Sequence, residues 1–180
     1  VHFRLIAVLA VIFASMNLFA QLQVEVKDGS VADYNLAVSP LAVLEGGDSA
    51  TASEIVSSVE KVFDITGYFK ILDKQSFLEK PEVAFNAVNF KNWLNVGANG
   101  LIKGTLGKAK EKDEIELELA FFDVAKGKEL LKKKYSAPKN LAKKSAYRFA
   151  AEVIKMLTGE EMNFMFSKIA LSKKLPINTR

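Results

Sequence analysis

Glu114, Glu116 and Glu118 set three carboxylates at every second position, the nearest approach to an acid–base constellation in the chain. Side chains two apart on a strand share one face. General acid–base work needs one member of such a row to have a raised pKa, and no neighbouring group is evident that would raise one. The row therefore reads as a solvated strand face. Gly46-Gly47 lacks the lysine that follows the glycines of a phosphate-binding loop, and Gly97 to Gly104 lacks dinucleotide spacing. The 180 residues contain no cysteine and a single histidine, His2. Disulfides, Cys/His zinc sites, cysteine nucleophiles and a Ser-His-Asp relay are thereby excluded. No catalytic, cofactor-binding or metal-ligating residue is assigned, and no small-molecule substrate is expected. A carboxylate or Ser-Lys enzyme stays open only as chemistry without a motif. The formal charge of +4 is mild and its basic residues are interleaved with acids, so nucleic acid is not an expected partner either.

Residues 1–20 explain where His2 goes. A short positive end with His2 and Arg4 is followed by the apolar run Leu5 to Ala14 and by Leu18-Phe19-Ala20, the three regions of a secretory leader. Cleavage after Ala20 leaves Gln21 as the mature N-terminus of a periplasmic protein. No cysteine follows the run, which rules out a lipoprotein anchor. A retained membrane anchor is the competing reading; Asn17 and the lack of a basic flank beyond it favour cleavage.

The remaining residues spell out one α/β unit. Gln23 to Lys27 alternates apolar and polar, as a half-buried or edge strand does, and a second strand runs from Tyr34 to Ser39, stopped by Pro40. A helix is predicted from Ala52 to Thr66, with Thr51 and Glu54 at capping-box spacing and Gly67 as its stop. Tyr68 to Leu72 reads as a strand, and Val88 to Val96 as a short helix holding the sole tryptophan, Trp93, a packed anchor between helix and sheet. A meander follows: Leu101 to Leu106, Ile115 to Phe121 and Glu129 to Tyr135, with strict alternation that buries one face and wets the other. Lys132-Lys133-Lys134 marks the last of these as an edge strand protected against aggregation. Gly104, inside a strand, implies a neighbour that needs room. A long helix from Leu141 to Leu157 ends at Gly159, and Phe164 to Ser172 reads as a final strand. Elements with one apolar side each must stack. The expected architecture is α/β of the α+β type, a two-layer sandwich in which two long helices pack on a mixed, mostly antiparallel sheet of about five strands.

In order and spacing, Gly67-Tyr68-Phe69-Lys70-Ile71-Leu72-Asp73, Trp93 with Gly97-Ala98 and Gly104, Asp123-Val124 with Gly127, and Leu157-Thr158-Gly159 resemble the TolB amino-terminal domain. The resemblance covers residues 21–172, leaving 1–20 as leader and 173–180 as a tail. It departs from the family at Ala146-Tyr147 and Ala150-Ala151, where TolB commonly carries Ala-His and Ala-Asp pairs. The family's six-bladed propeller normally follows Ser167 to Leu171, and no blade-like repeat lies between Lys173 and Arg180.

The resemblance implies a non-enzymatic periplasmic module of the Tol-Pal system, concerned with outer-membrane integrity and cell division. It implies a TolA-like partner engaged by the extreme N-terminal segment, here Gln21, Leu22, Gln23, Val24, Glu25, Val26 and Lys27. Pal binding belongs to the propeller and is not expected of this chain. An extended segment of this kind can add as a strand to a partner's sheet, with Leu22, Val24 and Val26 as apolar contacts; the same residues can equally complete the domain's own sheet. The alternative of a different class is a periplasmic regulatory or secretion-assembly module similar to LpoB or CsgG.

Overall fold

The computed structural model describes residues 34–111 and 113–162. The strand expected at Gln23 to Lys27 and the one expected at Phe164 to Ser172 lie outside the described residues. Strand β1 (Tyr34–Val38) ends where Pro40 removes a ladder donor, yet the chain rejoins the same neighbour two residues later as β2 (Ala42–Val43), a strand the sequence pattern does not announce. Ser39 N–H to Ile102 O at 2.9 Å and Leu44 N–H to Leu106 O at 2.7 Å hold the two pieces in line. Then follow helix α1 (Ser49–Thr66), β3 (Phe69–Ile71), the short helix α2 (Phe90–Asn95), β4 (Gly100–Lys108), β5 (Glu114–Asp123), β6 (Lys128–Pro138) and helix α3 (Ala142–Thr158).

The six strands form one mixed sheet in the order β3-β1-β4-β5-β6, with β2 on β4 beyond the end of β1. Parallel pairing joins β1 to β3 and to β4, and β2 to β4, over two or three residues each; the long ladders are the antiparallel ones, β4–β5 and β5–β6. The chain leaves β1 and β2 for β3 by way of α1, then returns past β1 to β4 by way of residues 72–99. Two parallel crossovers of one hand that run in opposite directions must lie on opposite faces of a sheet, and the right-handed rule makes them one hand. So α1 covers one face, and the segment with α2 crosses the other as a strap.

Helix α1 starts three residues earlier than the sequence predicts, and its cap is Asp48 rather than the Thr51/Glu54 box. The Asp48 carboxylate accepts from Thr51 N–H at 3.0 Å and from the Thr51 hydroxyl, while Lys139 stands 2.9 Å away. An ionised cap favours the helix start by charge as well as by hydrogen bonding, which is why aspartate displaces threonine here. Glu54 is left to pair with Lys143 at 2.5 Å. The Lys139–Asp48 and Lys143–Glu54 pairs bring the starts of α1 and α3 together, and Tyr68, just past α1, donates to Glu160, just past α3, at 3.2 Å. The two helices therefore run side by side in one direction. Each ends on a glycine in the left-handed conformation, Gly67 (φ 69°) and Gly159 (φ 78°).

Between these helices and the sheet lies the main core, with Leu36, Ile102, Leu119 and Phe121 from the strands meeting Ile55, Val59 and Phe63 of α1 and Phe149 and Val153 of α3. Ala146 and Ala150 are wholly buried on the inner stripe of α3. Gly104 shows why the strand needs a missing side chain: a Cβ there would stand 2.6 Å from both Leu119 Cδ2 and Leu41 Cδ2 and 2.7 Å from the Glu118 carbonyl oxygen. Gly104→Ala is expected to cost about 1–3 kcal/mol by overpacking, read as a lowered urea midpoint at unchanged m-value.

Asp48 supplies a pH test. The Thr51 hydroxyl, then the Lys139 ammonium and the Thr51 N–H, hold its carboxyl well below the usual carboxylate range. A depressed folded pKa contributes stability that is fully present above the ordinary value and is lost as pH falls through the folded one. Asp48→Ala should therefore be less stable than the parent at neutral pH, and the gap should narrow as the solution is taken below about pH 4, as followed by urea unfolding at stepped pH.

Candidate protein-interaction surface

On the strap face the expectation of one dry and one wet side holds only for part of the sheet. Ala37, Leu101, Ala120, Phe122 and Val124 form a second buried cluster there, closed by Trp93 and by Phe77, Phe85 and Phe90 of the strap. Trp93 is 1% exposed, an anchor as expected, with its ring 5.0 Å from that of Phe77 in an edge arrangement.

The strap also carries a buried arrangement with the ingredients of acid–base chemistry, and sequence reasoning missed it. Lys103, in the middle of β4, has a side chain 1% exposed, and Glu79, in the strap, one 4% exposed. The Lys103 ammonium donates to Glu79 Oε1 at 3.0 Å and to the Lys80 carbonyl at 3.4 Å. Trp93 Nε1–H donates to the same carboxylate oxygen at 3.2 Å, and Asn89 N–H donates to the other at 2.7 Å. Both carboxylate oxygens are thus engaged by the protein itself. A group so completely hydrogen-bonded is a latch, fastening the strap to the sheet at its most buried charge. A lysine interrupting Leu101-Ile102-Lys103-Gly104-Thr105-Leu106 was the available signal: charge at that depth demands a partner.

Beyond the strap, the same face opens to solvent and holds Glu114, Glu116 and Glu118. They pair across the β5–β6 ladder, with Ser136 (2.7 Å), Lys134 (2.8 Å) and Lys132 (3.0 Å) respectively. Lys133 points the other way, to Glu152 of α3 at 2.8 Å. Glu116 and Glu118 therefore join Lys134 and Lys132 as cross-strand ion pairs, each contributing about 0.2–1 kcal/mol. The Glu116 contact raises the pKa of Lys134. At the border of strap and ladder, Lys132 stands 4.6 Å from the centre of the Phe85 ring, beside an open hollow of about 600 Å³ floored by Phe85, Phe90 and Phe122. Where the two helices end, the Tyr34 hydroxyl is buried with no hydrogen-bond partner among the described residues, and burial together with the nearby Asp123 carboxylate pushes its pKa far up. Burial likewise pushes Tyr135 up to about 12.

Among the described residues no three histidine, cysteine, aspartate or glutamate side chains gather as a metal-ligand set, and no helix is long and apolar enough to cross a membrane. The expected partner-binding residues, Gln21 to Lys27, lie outside the described residues. What the described part presents is two free-standing sheet ends, the short β3 and the long, lysine-lined β6.

Comparison with known proteins decides the family. The family pattern described as the TolB amino-terminal domain matches residues 22–130, more than half of the chain. The chain belongs to the TolB amino-terminal domain family. The Tol-Pal system protein TolB of Desulfosudis oleivorans is 37% identical over 99 residues, covering 53% of this chain and 22% of its own length. TolB of Pelagibacter ubique is 28% identical over 180 residues, 94% of this chain and 40% of that one. In fold, the crystal structure of TolB from Acinetobacter baumannii matches 73% of this chain with a TM-score of 0.58 at 19% identity, using 30% of that chain. This chain thus spans 40% or less of the length of these relatives. The TolB family is periplasmic and its amino-terminal domain is a non-enzymatic component of the Tol-Pal system.

Removing one member of that latch strands a buried charge. Glu79→Ala or Lys103→Ala is expected to lower stability by about 3–5 kcal/mol, whereas the joint replacement Glu79→Gln with Lys103→Met, which removes both charges and keeps an acceptor for Trp93 and Asn89, should lose markedly less. Chemical denaturation followed by Trp93 fluorescence measures both. Equal losses in the single and joint variants would remove the latch from the account.

Proposed function

We propose that this TolB-type domain acts in the envelope of a Gram-negative cell as an exported protein–protein interaction module of the Tol-Pal system. Its leader is cleaved after Ala20, and its N-terminal segment, Gln21 to Lys27, engages a TolA-like partner. Through that contact it serves outer-membrane integrity and cell division. The observation that carries the reading is the family match, which begins at Leu22 and so takes in all of that segment but its first residue. The chemistry of the segment supports it: Leu22, Val24 and Val26 alternate with Gln23, Glu25 and Lys27. A partner strand could therefore take main-chain hydrogen bonds along the segment and select for every second side chain. The surroundings fit a binding role too, because the described surface offers paired charges and sheet edges in place of reactive groups.

Deleting Gln21 to Lys27 should abolish binding to a TolA-like protein in calorimetric titration while leaving the thermal transition of the domain nearly unchanged. Retained binding would reject the segment as the contact. A transition lowered by many degrees would show that the segment belongs to the domain's own sheet.

A further inference from the structure

Cations gather on β6 and on the helix that follows it. From Lys126 to Thr158 the sequence holds ten lysine and arginine residues against two carboxylates, Glu129 and Glu152, and the rest of the described chain carries the opposite excess. Seven of the ten are ion-paired. Lys128, Lys144 and Arg148 have no ion-pair partner among the described residues, and all three are exposed. Around β3, by contrast, Lys61, Lys70 and Lys74 are matched by Glu60, Asp64 and Asp73, so that edge has no preference of charge.

Of the three unpaired cations, Arg148 is the one that the fold sets above the free edge of the sheet. Helix α3 runs back along β6; Glu152 reaches Lys133 of that strand at 2.8 Å while Lys143 reaches Glu54 of α1, which tells the two flanks of the helix apart. Residues three and four apart share a flank. Ser145, Arg148, Glu152 and Met156 therefore lie in one row on the β6 side, with Leu141 at its head. Arg148 and Glu152 are both close enough to act on the Tyr135 hydroxyl of β6. At the two ends of the row Leu141 is 47% and Met156 36% exposed. Leu131, Tyr135 and Ala137 share the helix-side face of β6 and are only half-buried, because no described strand lies beyond β6 to cover them.

We infer that β6 and this flank of α3 form a docking groove for an extended segment of a partner protein that carries acidic residues between apolar ones. Main-chain bonds to the outer edge of β6 supply the pairing, the apolar side chains cover Leu141 and Met156, and a carboxylate meets Arg148. The dimensions agree: at about 1.5 Å per helical residue, positions 141 and 156 stand about 22 Å apart, the reach of roughly seven strand residues, and Arg148 falls midway. A neutral strand would strip the hydrated lysines of β6 with no return. An acidic one supplies carboxylates in place of that water, and the surplus cations draw it in from a distance. A lipid surface is the poorer fit, because it has no use for a row of main-chain groups. Gln21 to Lys27 take no part in this inference, which stands or falls apart from their role.

The test uses the exported protein, isotopically labelled, with the peptide Leu-Thr-Glu-Thr-Glu-Thr-Leu and its lysine counterpart as probes at low salt. The glutamate peptide should shift the amide resonances of β6 from Leu131 to Ala137 together with those of Leu141 and Met156, and the lysine peptide should bind at least ten-fold more weakly. Arg148→Glu, at an exposed and unpaired position, should weaken the glutamate peptide at least ten-fold while the thermal midpoint changes little. Should that variant misfold, methylating the main-chain nitrogens of the peptide keeps its charges and should abolish the shifts along β6. Equal binding of the two peptides, binding indifferent to Arg148→Glu, or a methylated peptide that binds as well as its parent overturns the inference. So do outward amides of β6 that are protected from exchange in the free protein and exposed on deleting Gln21 to Lys27, which would make the chain's own segment the occupant. Phosphatidylglycerol vesicles that bind the parent but not Arg148→Glu, with no response to the peptide, would make a lipid surface the occupant and overturn it equally.

Discussion

A lysine ammonium inside the central strand is the constraint from which the second half of this fold follows. Taking Lys103 out of water costs several kcal/mol unless a partner charge and further acceptors meet it, and Glu118, the same-face carboxylate of the neighbouring β5, is paired with Lys132 instead. Glu79 comes from the strap, 24 residues earlier, so the pair can form only if residues 72–99 cross the face. Trp93 and Asn89 then complete the hydrogen bonding of the carboxylate and fix the short helix α2 at the same stroke. The apolar cluster around Phe122 contributes more free energy than the ion pair, because each fully buried large apolar side chain stabilises by about 1.5–3 kcal/mol. What the pair supplies is position, since apolar contact alone would tolerate a strap displaced by a residue.

Local periodicity made most of the helix-facing layer legible. The 3.6-residue stripes of α1 and α3 with their glycine stops, and the alternation of β5, are properties of short windows, and the structure places them within a few residues of where the sequence does. The cap of α1 was misread because Thr51 and Glu54 satisfy a pattern that Asp48 satisfies better, with Lys139 arriving from 91 residues away. Strand β2 escaped for another reason: two residues after a proline carry no period, and only the ladder with β4 makes them a strand. The strap face was partly visible. Leu119-Ala120-Phe121-Phe122 is apolar at both parities, which a sheet with one wet face does not require. Recognising the Glu79 partner needs the crossover itself, and that is tertiary information.

The interaction surface divides in the same way. The glutamate and lysine rows were each readable as strand faces, but their union into a ladder depends on the register, which pairs Glu118 with Lys134 and Glu116 with Ser136 as direct opposites. The ion pairs instead run diagonally, Glu118 to Lys132 and Glu116 to Lys134, through side chains long enough to reach a neighbouring rung. Pairing of this sort holds the last strand at its place while leaving little net charge on the face.

The two sheet ends then differ in a way that bears on specificity. An exposed edge is a hazard, and β6, the longer one, is guarded by Lys132, Lys133 and Lys134, hydrated and ion-paired side chains that a second strand would have to displace. β3 is only three residues long and has the exposed Lys70 at its middle, so its safety rests on brevity and on a single lysine. Charged side chains at both edges act on an approaching strand before any close contact forms, and their influence weakens with salt because both edges are solvent-exposed. A scaffold whose described residues hold neither thiol nor imidazole has no use of their covalent chemistry in choosing a partner. Unequal protection of two edges of one sheet gives it a means that needs only backbone and charge.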